Sequence, residues 1–195
     1  MNDTENNKVL EENIYDEICF KIILGDTEKA QKLLNKLNKL RGNRNILLES
    51  LICFRKEYYA DSYNLAKQIE WYDKSYGKAQ DIINYCKAAV KAQYDGVKNK
   101  DAVLCDYDER VDFIAKEAGC SFEEAELFAE KEHDYCNKNS LIAESGESEP
   151  QRYYIMDDDD CEAYIAKESG LDLILVQKLH KAAYDFSDIC AELMP

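Results

Sequence analysis

The chain has 195 residues and a formal net charge of −15, with 25 Lys plus Arg against 40 Asp plus Glu, 46% hydrophobic residues, 7 Gly and 2 Pro. That apolar content can build a core, which excludes wholesale disorder, and so few turn formers exclude an all-β fold. The acidity argues against a general nucleic-acid binder, because such binding rests on neutralising phosphates.

Residues 1–7 are expected to be a disordered tail. From Lys8 onward, Leu10, Ile14, Ile18 and Ile22 recur every four residues, with Tyr15, Cys19 and Ile23 beside them. This predicts an amphipathic helix. Gly25-Asp26-Thr27 stops it, and Asp26 or Thr27 can cap the next helix. That second helix has Ala30, Leu33, Leu34 and Leu37 on one face and Lys29, Lys32, Lys36 and Lys39 on another, and Gly42-Asn43 ends it. Three more helices are expected: one through Leu47, Leu48, Leu51 and Ile52, one from Tyr59 to Ile69, and one from Ser75 to Gly96. Short links favour antiparallel neighbours.

The stretch Gly25-Asp26-Thr27-Glu28-Lys29-Ala30 resembles the turn and second-helix start of a tetratricopeptide repeat, and Lys56 to Ser62 does so more loosely. The early Trp and Leu-Gly of that repeat are missing, and no Pro closes a unit. The resemblance covers roughly residues 8–96, and it implies that residues 8–105 form a scaffold of stacked helix pairs that offers a groove to a protein partner. An irregular helical bundle is the other reading.

The C-terminal half repeats itself. Asp106-Tyr107-Asp108-Glu109 leads into Phe113-Ile114-Ala115-Lys116-Glu117-Ala118-Gly119. Asp157-Asp158-Asp159-Asp160 leads into Tyr164-Ile165-Ala166-Lys167-Glu168-Ser169-Gly170, 51 residues later. Each copy predicts a short helix, a Gly stop and a longer helix. Ser121 to Glu124 spells a capping box, and Asp172 takes the matching N-cap position in the second copy. The hairpin resembles the opening helical hairpin of bacterial HU-type proteins and other small helix-turn-helix modules. The β-arms and basic surface that would imply DNA binding are absent. Residues 106–138 and 157–195 are therefore read as two acidic hairpins, with a polar mobile loop at 139–156. In the last helix, Leu175, Leu179, Ala182, Phe186, Ile189 and Leu193 form an a/d seam, which either packs internally or makes a homodimer.

The eight Cys are scattered through apolar helical contexts without a C-x-x-C pair, so buried free thiols are expected rather than disulfides or zinc. The acidic leads place carboxylates at positions 1, 3 and 12 of a calcium loop, but Glu162 and Val111 stand where that loop needs Gly. His133 and His180 fall at unmatched points of the repeat and read as surface or boundary residues. No catalytic fingerprint is present. Neither metal nor cofactor is expected, although an enzyme without a motif stays open. No apolar run can span a membrane, and MNDTENNKVLEEN lacks the basic and apolar regions of a signal peptide. A cytoplasmic protein is the expectation.

Residues 1–105 hold 17 Lys/Arg and 16 Asp/Glu, whereas residues 106–195 hold 8 and 24. The acidity therefore belongs to the repeat half. Candidate partner-binding residues are Asp106, Tyr107, Asp108, Glu123, Glu124, Glu126, Tyr153, Tyr154, Asp157, Asp158, Asp159 and Asp160, because carboxylates with interleaved Tyr suit a basic protein surface. Residues 106–195 are not expected to touch nucleic acid directly. The leading expectation is an all-α, non-catalytic protein-interaction module. A nucleic-acid mimic that occupies a basic cleft, as in phage–host conflict, is the alternative. The Lys29, Lys32, Lys36 and Lys39 stripe could instead bind nucleic acid or dock on the chain's own acidic half.

Overall fold

The computed structural model describes residues 3–96, 106–143 and 158–193. Within them the chain is all-α, with nine helices and no strand. It divides into two compact units, residues 1–106 with 189–195, and residues 107–188.

The first unit holds α1 (Asp3–Leu24), α2 (Thr27–Arg41), α3 (Ile46–Arg55), α4 (Tyr59–Lys67) and α5 (Tyr76–Gly96). Each helix packs on the next, and α3 also touches α1 and α5. Ile14, Ile18, Ala30, Leu34, Leu37, Leu48 and Ile52 form one buried cluster. Each buried Leu or Ile there contributes about 1.5–3 kcal/mol. Capping follows the sequence: the Asp26 side chain accepts the Lys29 backbone N–H at 3.4 Å, and Asn45 accepts that of Leu48 at 3.1 Å.

Two expectations for α1 need correction. It starts at Asp3, inside the segment expected to be a tail, because neither Gly nor Pro interrupts the chain before Gly25. Its apolar stripe is also only partly covered: Ile14 and Ile18 are buried, whereas Leu10 and Ile23 are exposed. The cause at Leu10 is length. The last residue of α2, Arg41, bonds Glu11 of α1 at 3.1 Å, so α2 runs out just where Leu10 would need a neighbour.

The second unit holds α6 (Tyr107–Ala118), α7 (Phe122–Ala143), α8 (Asp158–Ser169) and most of α9 (Leu173–Leu193). The starts of α6 and α8, and of α7 and α9, keep the 51-residue spacing. Gly119 and Gly170 both follow helix ends at φ +71° and +74°, a backbone region that L side chains rarely adopt. The capping box closes as written: Ser121 N–H donates to Glu124 Oε2 at 2.9 Å, and Glu124 N–H donates to Ser121 Oγ at 3.2 Å. Asp172 Oδ1 accepts the Ile174 N–H at 2.9 Å. Helix α7 runs on to Ala143, past the expected loop start at 139, because its first breaker is Gly146.

Val111, Ile114, Phe128, Ile165, Val176, Leu179 and Phe186 fill the core of this unit, with the rings of Phe113 and Phe186 5.3 Å apart. On α9, the seam residues Leu179, Ala182, Phe186 and Leu193 are buried within the single chain, leaving Leu173 and Ile174 as exposed apolar side chains. Among the described cysteines each keeps its thiol: Cys53, Cys86, Cys161 and Cys190 are buried, and Cys19, Cys120 and Cys136 are partly so. Burial and nearby carboxylates push the Cys161 thiol up to about 12, which makes it a packing residue rather than a nucleophile.

Candidate functional site

Tyr107 opens α6 and stays half exposed. Partial burial, then the Glu126 and Glu130 carboxylates of α7, raise its phenol above the ordinary value, with Asp108 adding to the effect. A tyrosine ring therefore sits among carboxylates from two helices. Helix geometry explains the grouping, because Glu123, Glu126 and Glu130 recur at three and four residues and share one face of α7. Glu123 and Glu130 are exposed and Glu126 is half-buried. None of the three forms an ion pair among the described residues.

A second grouping forms at the start of α8. Tyr184 of α9 donates to Asp158 Oδ1 at 2.8 Å. That bond is the main cause that lifts the Tyr184 phenol to about 12, with burial, Cys161 and Glu132 adding to it. Asp159 and Asp160 are exposed beside Asp158 on the first turn, where acidic side chains oppose the helix dipole favourably. Asp106 and Asp108 are also exposed, and Glu124 serves the capping box. Tyr153, Tyr154 and Asp157 lie outside the described residues. The structure thus gathers Tyr107, Asp108 and Glu126 in one place and Asp158 with Tyr184 in another.

Glu130 and Glu132 complete these groups and were not singled out from sequence. The helical spacing from Glu123 and Glu126 pointed to Glu130. Glu132 was visible only through contacts, since it pairs with Arg110 of α6.

His180 is neither the surface nor the boundary residue expected. It is 3% exposed, and its Nδ1 lies 3.1 Å from Glu162 Oε1, where the imidazole N–H can donate to the carboxylate. Phe128 and Tyr184 flank the ring. A signal was present: His180 lies 51 residues after Ala129, and Glu162 lies 51 after Val111, both buried. The second hairpin places a polar pair where the first has an apolar one.

In the first unit, Lys29, Lys32, Lys36 and Lys39 all project to solvent from α2. Lys29 pairs with Asp26 at 3.1 Å, whereas Lys32, Lys36 and Lys39 form no ion pair among the described residues. A hollow of about 580 Å³ lies between α1, the α2–α3 link and the start of α5, where no sequence motif marks it, and a second of about 390 Å³ adjoins it. Trp71 and Tyr72 stand nearby, 76% and 73% exposed, with ring centroids 5.7 Å apart. Four cations and four carboxylates line the two hollows together, namely Arg41, Arg44, Lys74 and Lys78 against Glu12, Asp16, Glu70 and Asp73. This balance selects neither an anion nor a cation.

Among the described residues, no three His, Cys, Asp or Glu side chains converge as a metal site would require. No described helix is long and apolar enough to cross a membrane. No family model, curated protein or solved structure matches the chain.

Proposed function

We propose that the protein is a non-catalytic protein-interaction module whose acidic, Tyr-bearing hairpins take a partner with a basic surface. The observation that carries this reading is the setting of Tyr107, a half-exposed ring under the influence of Glu126 and Glu130. A rigid amphipathic ring near the Glu126 and Glu130 carboxylates suits a Lys- or Arg-bearing surface. The successive packing of α1 to α5 supports a helical-repeat-like scaffold in the first unit.

The test is retention of a partner protein on the immobilised chain at about 50 mM and about 500 mM salt, which sets weak against strong screening. Retention at low salt, lost at high salt and on Glu123→Lys/Glu126→Lys/Glu130→Lys, is expected. Failure to retain any protein at low salt, or retention indifferent to the triple reversal, would reject this reading.

A further inference from the structure

The α2 lysines and the α7 glutamates match in charge and in spacing. Counting down α2, Leu40, Lys39, Lys36 and Lys32 are separated by one, three and four residues. Counting up α7, Phe122, Glu123, Glu126 and Glu130 are separated by the same steps. Each set occupies one helix face roughly 12 Å long at 1.5 Å per residue. Laid antiparallel, the faces set Lys39 against Glu123, Lys36 against Glu126 and Lys32 against Glu130, and bring Leu40 opposite Phe122.

Both apolar residues are exposed, Leu40 at 45% and Phe122 at 38%. Behind these faces, Leu37 and Ala125 point into their own cores, so the pairing would disturb neither unit. Neither set of charges is neutralised by ion pairs among the described residues. Apart from Glu28 in its first turn, α2 carries no acidic residue, so its lysines lack a counter-charge on their own helix.

We propose that the chain pairs with a second copy of itself, the α2 lysine face of one copy lying antiparallel on the α7 glutamate face of the other. This inference rests on the reading that the α7 face takes a basic partner, and it names that partner. A contact between two different faces is heterologous, so it closes into a ring or extends with concentration. With three charge pairs around one apolar contact it depends on ionic strength.

The test is the mass of the whole chain by sedimentation and light scattering. At about 50 mM salt the weight-average mass is expected to rise with concentration to at least roughly twice the monomer, and to fall back to monomer at about 500 mM. Lys32→Glu/Lys36→Glu/Lys39→Glu and Glu123→Lys/Glu126→Lys/Glu130→Lys should each be monomeric alone. Mixed in equal amounts they should associate again, since each supplies the charge the other has reversed; that recovery also shows both variants are folded.

A monomer at every salt concentration overturns the proposal, as does association that survives either triple variant, or a mixture that stays monomeric while the parent associates. Docking of α2 on α7 within one chain gives the first of these results. A monomeric chain whose α7 face still retains a basic protein loses the self-pairing and keeps the proposed function. Loss of that retention at low salt removes the proposed function itself.

Discussion

Ser50 and Ser62 exchange hydrogen bonds across the contact between α3 and α4. Ser50 Oγ donates to the Ser62 carbonyl oxygen at 2.8 Å, and Ser62 Oγ donates to the Ser50 carbonyl oxygen at 2.9 Å. Both residues are fully buried, so the two helices meet through small side chains that return their polarity to the opposite backbone. Ser50→Ala and Ser62→Ala are each expected to cost about 1 kcal/mol, the usual net value of such a bond. Ser50→Leu is expected to cost more, about 1–3 kcal/mol, because a larger side chain overfills the contact. Urea unfolding of the three variants checks the order, and a Leu variant as stable as the Ala variant would contradict a close approach.

Local features of the sequence were the easiest to read. The 3.6-residue recurrence from Ile14 to Ile18, the Gly stops and the Ser121–Glu124 box all depend on residues within one or two turns, and each appears in the structure. Leu10 and His180 depart from the local pattern because their burial depends on residues far along the chain. Leu10 is exposed because α2 ends at Arg41, and His180 is buried because α7 and α8 cover it. The acidic face was legible in part: the step from Glu123 to Glu126 points to Glu130, but nothing local links Tyr184 to Asp158.

The sequence marks the turn from α3 to α4 only by the loose resemblance of Lys56 to Ser62, because it contains no Gly. Glu57 takes it at φ +67°, the described non-Gly residue with positive φ. That conformation costs an L side chain about 1–2 kcal/mol. Glu57→Gly removes the strain but adds freedom to the unfolded chain, so a net gain of about 0.5–1 kcal/mol is expected. Glu57→Ile should destabilise, because β-branching is least tolerated there. Thermal melts should therefore rank Gly above Glu above Ile; the reverse order would place the turn in another conformation.

The end of α9 supplies a pH prediction for the first unit. Glu192 accepts hydrogen bonds from Lys67 Nζ and from Tyr63 Oη, the latter at 3.0 Å. The bonds to Lys67 and Tyr63 hold the Glu192 carboxyl below its ordinary value, and the bond to Glu192 raises Lys67 above its own. A depressed carboxylate contributes stability above its unfolded value of about 4.3, and loses it as pH falls through the lower folded value. A raised lysine contributes below its unfolded value of about 10.4, and loses it as pH rises beyond that. The parent should therefore exceed Glu192→Gln in stability across neutral pH and converge with it at both extremes. Equilibrium unfolding of the two proteins from acid to alkaline pH measures this. A constant difference down to strongly acid pH would exclude the ion pair as its source.

The Tyr184–Asp158 bond predicts an alkaline signature in the second unit. The Tyr184 phenol is held up to about 12, first by its bond to Asp158 and then by burial. A raised phenol stabilises the fold fully below its unfolded value of about 10, and the contribution disappears as pH rises through 12. Difference absorbance of phenolate formation should show a late phase that contains Tyr184. Asp158→Asn should return that transition toward about 10. An unchanged titration in Asp158→Asn would exclude the carboxylate as the cause.

The pair of buried His180 and half-buried Glu162 makes the sharpest stability prediction, because the first hairpin supplies its apolar counterpart. Val111 and Ala129 hold the corresponding positions and are buried. Removing one partner leaves the other unpaired in a largely desolvated setting, so Glu162→Val or His180→Ala alone is expected to cost about 1–3 kcal/mol. Glu162→Val with His180→Ala installs the pair used by the first hairpin and leaves no polar atom stranded, although the space left by the imidazole is only partly filled. Its cost should be at least about 1 kcal/mol below the sum of the single costs, the non-additivity expected of residues in direct contact. Chemical denaturation of the three variants closes the cycle. Simple additivity would mean that the carboxylate and the imidazole stabilise the bundle independently, and the hydrogen bond between them would then contribute nothing.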